Sequence, residues 1–316
     1  MHVFRNSPGD LEPAAKSDRS SVVAIGNFDG VHRGHLALIE RCRERVDAGD
    51  SVVVITFEPL PQTFFRPENS PARLTTVYQK LFHLKNAGVD LVWLMRFGQV
   101  LASQPAREFV EKALLSGLGA KCVVIGEDFH FGRGREGNAA TLREFGAQMG
   151  FEVETVAAVE CQGQRISSSG IRDKLALGDF AAAAEFLGRP FAMEGHVVPG
   201  AKLGRKLGYP TANMRVRARP CPLQGVFAVF ARSKGGSWLP AVSNLGFRPA
   251  VGGREPLLEV HFFDFDKDLY GQRLEVQFVA KLRDELNFES MDELVDQMIV
   301  DEAQARTCLA QATLPQ

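Results

Sequence analysis

Val22-Val23-Ala24-Ile25-Gly26-Asn27-Phe28-Asp29-Gly30-Val31-His32-Arg33-Gly34-His35 begins as a continuous apolar run and ends in a glycine-rich turn carrying two histidines three positions apart. An apolar run of mostly β-branched residues, with no polar alternation, reads as a strand buried on both faces, the kind found in parallel sheets covered by helices. The next residues, His35–Val46, have helical spacing, so the stretch predicts strand, turn and helix in that order. Outward from it the pattern repeats. Apolar runs at 51–57 (SVVVITF), 90–97 (DLVWLMRF), 120–126 (AKCVVIG) and 151–159 (FEVETVAAV) alternate with helical segments Thr76–Asn86, Pro105–Leu115 and Asn138–Gln148. Gly88, Gly117 and Gly150 follow those helices as C-terminal stops. The expectation is an α/β domain with a doubly wound parallel sheet.

Past Gly188-Arg189-Pro190 the character changes. Runs at 191–198, 225–232, 237–243, 256–263 and 273–280 are apolar or alternating, with Gly and Pro between them, which predicts an antiparallel sheet or small β-barrel. One helix closes the chain: Ser290 and Glu293 form a capping box, and Leu294, Val295, Met298 and Ile299 are expected to line its inner face. Two domains are expected, 1–187 and 188–316.

The bulk numbers exclude several classes. The chain has 316 residues, 37 Lys+Arg against 38 Asp+Glu and a net charge of -1. That balance opposes a nucleic-acid partner, which needs surplus cations for phosphates. No apolar run approaches the roughly 20 residues of a membrane span, and the first twenty residues lack a secretory core. The five cysteines, at 42, 122, 161, 221 and 308, have neither zinc nor redox spacing and suit a reducing, cytoplasmic setting.

The glycine–histidine turn lies where open α/β sheets bind ligands, at the carboxyl end of a strand. Gly30 and Gly34 let the backbone approach a ligand closely within the turn that Gly26, Asn27 and Phe28 open, and His32 and His35 can lean toward one phosphate from the start of a helix. A plain glycine turn with two surface histidines is the competing reading. Ser168, Ser169 and Arg172 open a later helix and suit a second phosphate contact, or equally a simple cap with a solvated arginine. In the second half, Gly200, Lys202, Gly204 and Gly208 form a basic glycine loop ahead of Thr211 and Asn213, whose oxygens suit Mg²⁺, or a mobile loop with a turn at Pro210. Glu259 is a carboxylate inside an apolar strand, on one face with His261: a site residue or a half-exposed one.

The strings GNFDGVHRGH (26–35), GEDFHFGRG (126–134) and ISSSGIR (166–172), followed by GYPTAN (208–213) and LEVHFFDFDKDLYG (258–271), resemble the prokaryotic bifunctional riboflavin kinase/FAD synthetase family over roughly 21–306. The resemblance implies a nucleotidylyltransferase domain that binds ATP through the first and third motifs, with Asp128 and Phe129 in a nucleotide and flavin loop. It implies a kinase barrel with Glu259 as base, and Arg283 and Glu285 near the flavin. The expected small molecules are riboflavin, FMN, FAD and ATP, with Mg²⁺. Leu60, Ser169 and Ala250 stand where the family more often has histidine, threonine and threonine.

Overall fold

The computed structural model describes residues 1–5, 20–200, 204, 207–216, 220–250 and 253–315. The chain divides into two compact units: Met1–Pro71 with Val77–Ser167, and Ala72–Thr76 with Ser168–Gln316. The dividing line thus falls some twenty positions before the 187/188 boundary read from the sequence.

The first unit is a parallel sheet of β1 (His2–Phe4), β2 (Ser21–Ile25), β3 (Ser51–Glu58), β4 (Leu91–Arg96), β5 (Ala120–Gly126) and β6 (Glu152–Val156), in the order β1-β4-β3-β2-β5-β6. Successive residues of each run go to opposite faces, which is why the runs are continuous. Val23, Ile25, Val53, Ile55, Val123 and Ile125 face one core, with Phe109 and Leu114. Val22, Ala24, Val52, Val54 and Val124 face the other, with Leu38, Ile39 and Cys42 of α1 (Arg33–Glu44). Strand order reverses beside β2, so the turn after β2 stands at the topological switch point, where such sheets open a crevice.

Two local expectations are corrected. Gly117 does not end its helix: Ala106–Phe109 continues as a wider π-helical segment over Val110–Gly117, and the left-handed residue is Gly119 (φ 56°). Edge strand β1, three residues long, has no counterpart among the expected runs.

A short antiparallel pair, β7 (Glu160–Cys161) with β8 (Gln164–Arg165), follows the sheet in the first unit. The second unit opens with two helices, Ser168–Ala176 and Phe180–Leu187, and then closes a barrel. Its strands are β9 (Ala192–Val198), β10 (Ala212–Arg215), β11 (Gly225–Ser233), β12 (Leu239–Ala250), β13 (Gly253–Phe262) and β14 (Arg273–Arg283), ordered β10-β13-β12-β11-β14-β9 with β9 returning to β10. Along β13, Leu258, Val260 and Phe262 are buried, while Glu259 and His261 share the opposite, half-buried face. The C-terminal helix Met291–Gln311 is capped by Ser290, whose hydroxyl accepts from the Glu293 N–H. Its inner face is corrected at one position: Leu294, Val295 and Met298 are half-buried as expected, whereas Ile299 is 53% exposed, and the fully buried positions are Asp301, Ala305 and Leu309.

Candidate active sites

The turn after β2 is locked by its two histidines. His32 is the N-cap of α1, and the His35 N–H donates to His32 Nδ1 at 3.3 Å while the His32 N–H donates to His35 Nδ1 at 3.3 Å. The rings stack with centroids 3.6 Å apart, and Phe28 lies 4.8 Å from the His35 ring. An Nδ1 that accepts carries no proton, so the N–H of each neutral imidazole is at Nε2. The arrangement is a capping box made of imidazoles, which fixes both rings at the start of α1. Phe28 and Val31 take positive φ of 49° and 41° and are fully buried, and Gly30 takes 85°. Gly26 and Gly34 sit tight against Phe28 and His32 respectively.

Sequence reasoning missed the support beneath this turn. Lys80, on the helix Val77–Asn86, is 0% exposed. Its ammonium donates to the Asn27 carbonyl at 2.9 Å and to Thr56 Oγ1 at 3.2 Å, and Thr56 also donates to Asn27 O at 2.9 Å. A lysine so deeply buried is tolerated only with oxygens around it. A lysine in an amphipathic helix gives no signal of this. Also missed is a cluster of edge-to-face rings, Phe57, Phe64, Phe65 and Phe97, with centroids 5.3–5.8 Å apart and Phe65 63% exposed. The Phe-Phe pair shortly after β3 was its one sequence signal. Leu60 beside it is buried.

Asp128 is exposed and paired with Arg165 at 2.7 Å, and Phe129 stacks on Phe131 at 5.5 Å. Ser168 and Ser169 begin their helix, with Arg172 just past its first turn, where its Nε donates to the Ala72 carbonyl at 2.5 Å. These three belong to the second unit.

The barrel carries a pocket of about 310 Å³. Gly204, Thr211, Asn213, Asn244, Glu259, His261, Arg283, Glu285 and Phe288 line it, so most of the expected kinase residues are brought together. Gly200 packs so closely on the Asn213 amide that a Cβ there would collide with it. Gly208 takes φ 85°, and Lys202 lies outside the described residues. His261 Nδ1 donates to the Pro210 carbonyl at 2.9 Å, tying the Thr211 loop to β13.

Arg283 is engaged by the C-terminal helix. It makes a two-pronged pair with Asp301, 2.8 Å at Nε and 2.6 Å at Nη2, and Gln297 adds a 2.9 Å hydrogen bond to the same carboxylate. Asp301 is 4% exposed. This pairing turns the helix inward at Asp301 instead of Ile299. Glu285 accepts from Gln224 at 2.8 Å, and its carboxylate lies against Gly246, where a Cβ would collide. At the pocket Asn244 Oδ1 is buried without a hydrogen-bond partner, and so is Ser243 Oγ on the opposite face of β12. Each such atom costs about 1–3 kcal/mol.

Comparison with known proteins gives two family matches in chain order: FAD synthetase over residues 14–170 and riboflavin kinase over residues 187–309. A bifunctional riboflavin kinase/FMN adenylyltransferase of Pseudomonas fluorescens is 46% identical over 294 residues, covering 92% of this chain and 94% of its own. The protein of the same description from Escherichia coli K12 is 42% identical over 286 residues, covering 90% and 91%. Among solved structures, a macrolide-efflux protein from Streptococcus pneumoniae superposes with TM-score 0.80 at 30% identity, over 97% of this chain and 99% of that one.

Proposed function

The chain belongs to the bifunctional riboflavin kinase/FMN adenylyltransferase family, and from that premise we propose how its two units divide the work. The enzyme phosphorylates riboflavin with ATP to FMN and adenylylates FMN with a second ATP to FAD and pyrophosphate. Residues 1–187 are assigned the adenylyl step and 188–316 the kinase step. The observation that carries this division is that the oxygen-rich pocket with Glu259 lies wholly within the second unit, and the stacked histidines wholly within the first.

In the adenylyl step an FMN phosphate oxygen attacks the α-phosphorus of ATP, the new P–O bond forms, and the bond to the pyrophosphate oxygen breaks. The Nε2–H groups of His32 and His35 donate to the α-phosphate oxygens as charge builds there, already aligned by their shared cap. Gly26, Asn27, Phe28 and Gly34 shape the backbone against the nucleotide, and Ser168, Ser169 and Arg172 are assigned to phosphate binding by residue type. Asp128, Phe129 and the phenylalanine cluster are assigned to the nucleotide and flavin.

In the kinase step Glu259 takes the proton from the riboflavin 5′-hydroxyl, whose oxygen bonds the γ-phosphorus as ADP leaves. Thr211 and Asn213 offer a hydroxyl and an amide oxygen at the same pocket as a carboxylate, a hard-oxygen set that fits Mg²⁺. When bound, Mg²⁺ would neutralise phosphate charge. Gly200, Gly204 and Gly208, with Lys202, are assigned to the ATP phosphates. Arg283 and Glu285 stand on the flavin side, with Arg283 acting through its pair with Asp301. A cytoplasmic setting is proposed with this, because the cysteines are free thiols.

The test is direct. Purified protein with riboflavin, ATP and MgCl₂ should yield FMN and then FAD by chromatography, and supplied FMN should yield FAD. A protein that forms neither refutes the reading.

A further inference from the structure

Strand register aligns one row of residues across five adjoining barrel strands. Asn213 pairs with Glu259, Glu259 with Asn244, Asn244 with Val226, and Val226 with Arg283. All five line the pocket. Neighbouring strands stand about 4.8 Å apart, so the row measures the pocket in steps of one strand. Asn213 and Asn244 flank Glu259 on opposite sides.

Glu259 is the base of the row, and two of its other three polar members have partners. Asn213 donates to the Thr211 carbonyl at 3.4 Å, and Arg283 is held by Asp301. Asn244 Oδ1 is buried with no partner. A primary amide presents either an oxygen or an NH₂ group according to its χ2 rotation, and a hydroxyl both donates and accepts, so the two match in either orientation. A cation would take only the oxygen, and the oxygens assigned to it lie on the other flank of Glu259. One strand step from the base is the reach of a hydroxyl one or two carbons from the reacting one. Beyond Asn244 the row leads to Val226 and Arg283, with Phe288 5.9 Å from the Arg283 guanidinium, an apolar and aromatic end suited to a ring system.

We infer that Asn244 binds a secondary hydroxyl of the acceptor's ribityl chain and so holds the terminal hydroxyl against Glu259. This rests on the reading of the barrel as the kinase. It makes Asn244 a specificity residue that reads the polyol chain, separate from the groups that hold phosphate or flavin.

The test measures kcat/KM at saturating MgATP for riboflavin and its 2′-, 3′- and 4′-monodeoxy analogues. The enzymes are wild type, Asn244→Ala, and Asn244→Leu, which retains volume. Wild type is expected to lose about tenfold on one analogue, and each variant about tenfold on riboflavin, with no further loss on that same analogue. Variants that discriminate as wild type does overturn the inference. So does recovery of the variants at raised Mg²⁺, which would move Asn244 to the metal. If neither variant folds, the wild-type series decides: indifference to all three analogues overturns, and selectivity for one supports. Wild type that fails to phosphorylate riboflavin at all brings down the kinase reading itself, a result distinct from any pattern among the analogues.

Discussion

At the histidine turn both Nδ1 atoms already hold backbone N–H groups, and the Asn27 carbonyl already holds Lys80 and Thr56. In the barrel pocket, of about 310 Å³, Asn244 Oδ1 holds nothing. The first site is assembled before a ligand arrives, so its two ring donors need no reorganisation when charge develops. The second carries an unpaired atom, at a cost of about 1–3 kcal/mol, that a substrate can satisfy. A site of the first kind should fail through loss of transition-state stabilisation. A site of the second kind should fail through loss of the base or of substrate placement.

The sharpest break in that comparison is Glu259→Gln. The swap keeps shape and removes the base, so riboflavin phosphorylation should fall about 10²–10⁴-fold. Conversion of supplied FMN to FAD should continue at the wild-type rate. FMN formation within threefold of wild type would remove Glu259 from the chemistry. Next in size, His32→Ala or His35→Ala should lower FAD formation about 10²–10³-fold and spare FMN formation. Each variant also loses half of the shared cap, so circular dichroism of the folded protein should accompany the assay. Equal loss of both activities in a folded variant would contradict separate sites.

The Arg283–Asp301 pair tests how the pocket is closed. Asp301→Ala leaves the guanidinium without its carboxylate at a largely buried position, which should cost about 3 kcal/mol of stability. The urea midpoint should drop, and the riboflavin KM should rise more than kcat falls, because Arg283 and Phe288 lose their anchor. An unchanged KM in a destabilised protein would mean that the pair staples the helix and does nothing for the pocket.

Much of this was legible in the chain. Continuous Val and Ile runs mark strands with two buried faces, and the two core clusters on either side of β2 explain why no alternation is visible. The histidine turn and Glu259 were legible by residue type, because glycine turns and an acid in an apolar strand are costly unless used. β1 and β10, of three and four residues, were not, since periodicity needs length. Ile299 was expected inside because apolar spacing counts hydrophobicity alone, whereas Asp301 is drawn in by a partner eighteen positions earlier. The row from Asn213 to Arg283 spans five strands, and register between strands is a tertiary property that no local pattern carries.

Lys80 is where the two sites can be compared at the smallest scale. Lys80→Met keeps an unbranched chain of similar length and removes the ammonium under the turn. Asn27 O retains Thr56 as a donor, so the carbonyl is not orphaned, and the expected loss is about 1–3 kcal/mol of stability. FAD formation should fall by no more than about tenfold, the equivalent of roughly 1.4 kcal/mol, since the histidine cap itself is untouched. FMN formation should stay at the wild-type level. If the turn is held by the cap alone, the variant melts like wild type and makes FAD at the wild-type rate, and Lys80 has no part in arranging the site. If the turn depends on Lys80 throughout, FAD formation falls as far as it does in His32→Ala, and the ring-on-ring cap is the passenger. The intermediate result is the one the geometry favours, because cap and ammonium act on adjoining but separate backbone groups, Lys80 at the start of the turn and the histidines at its end.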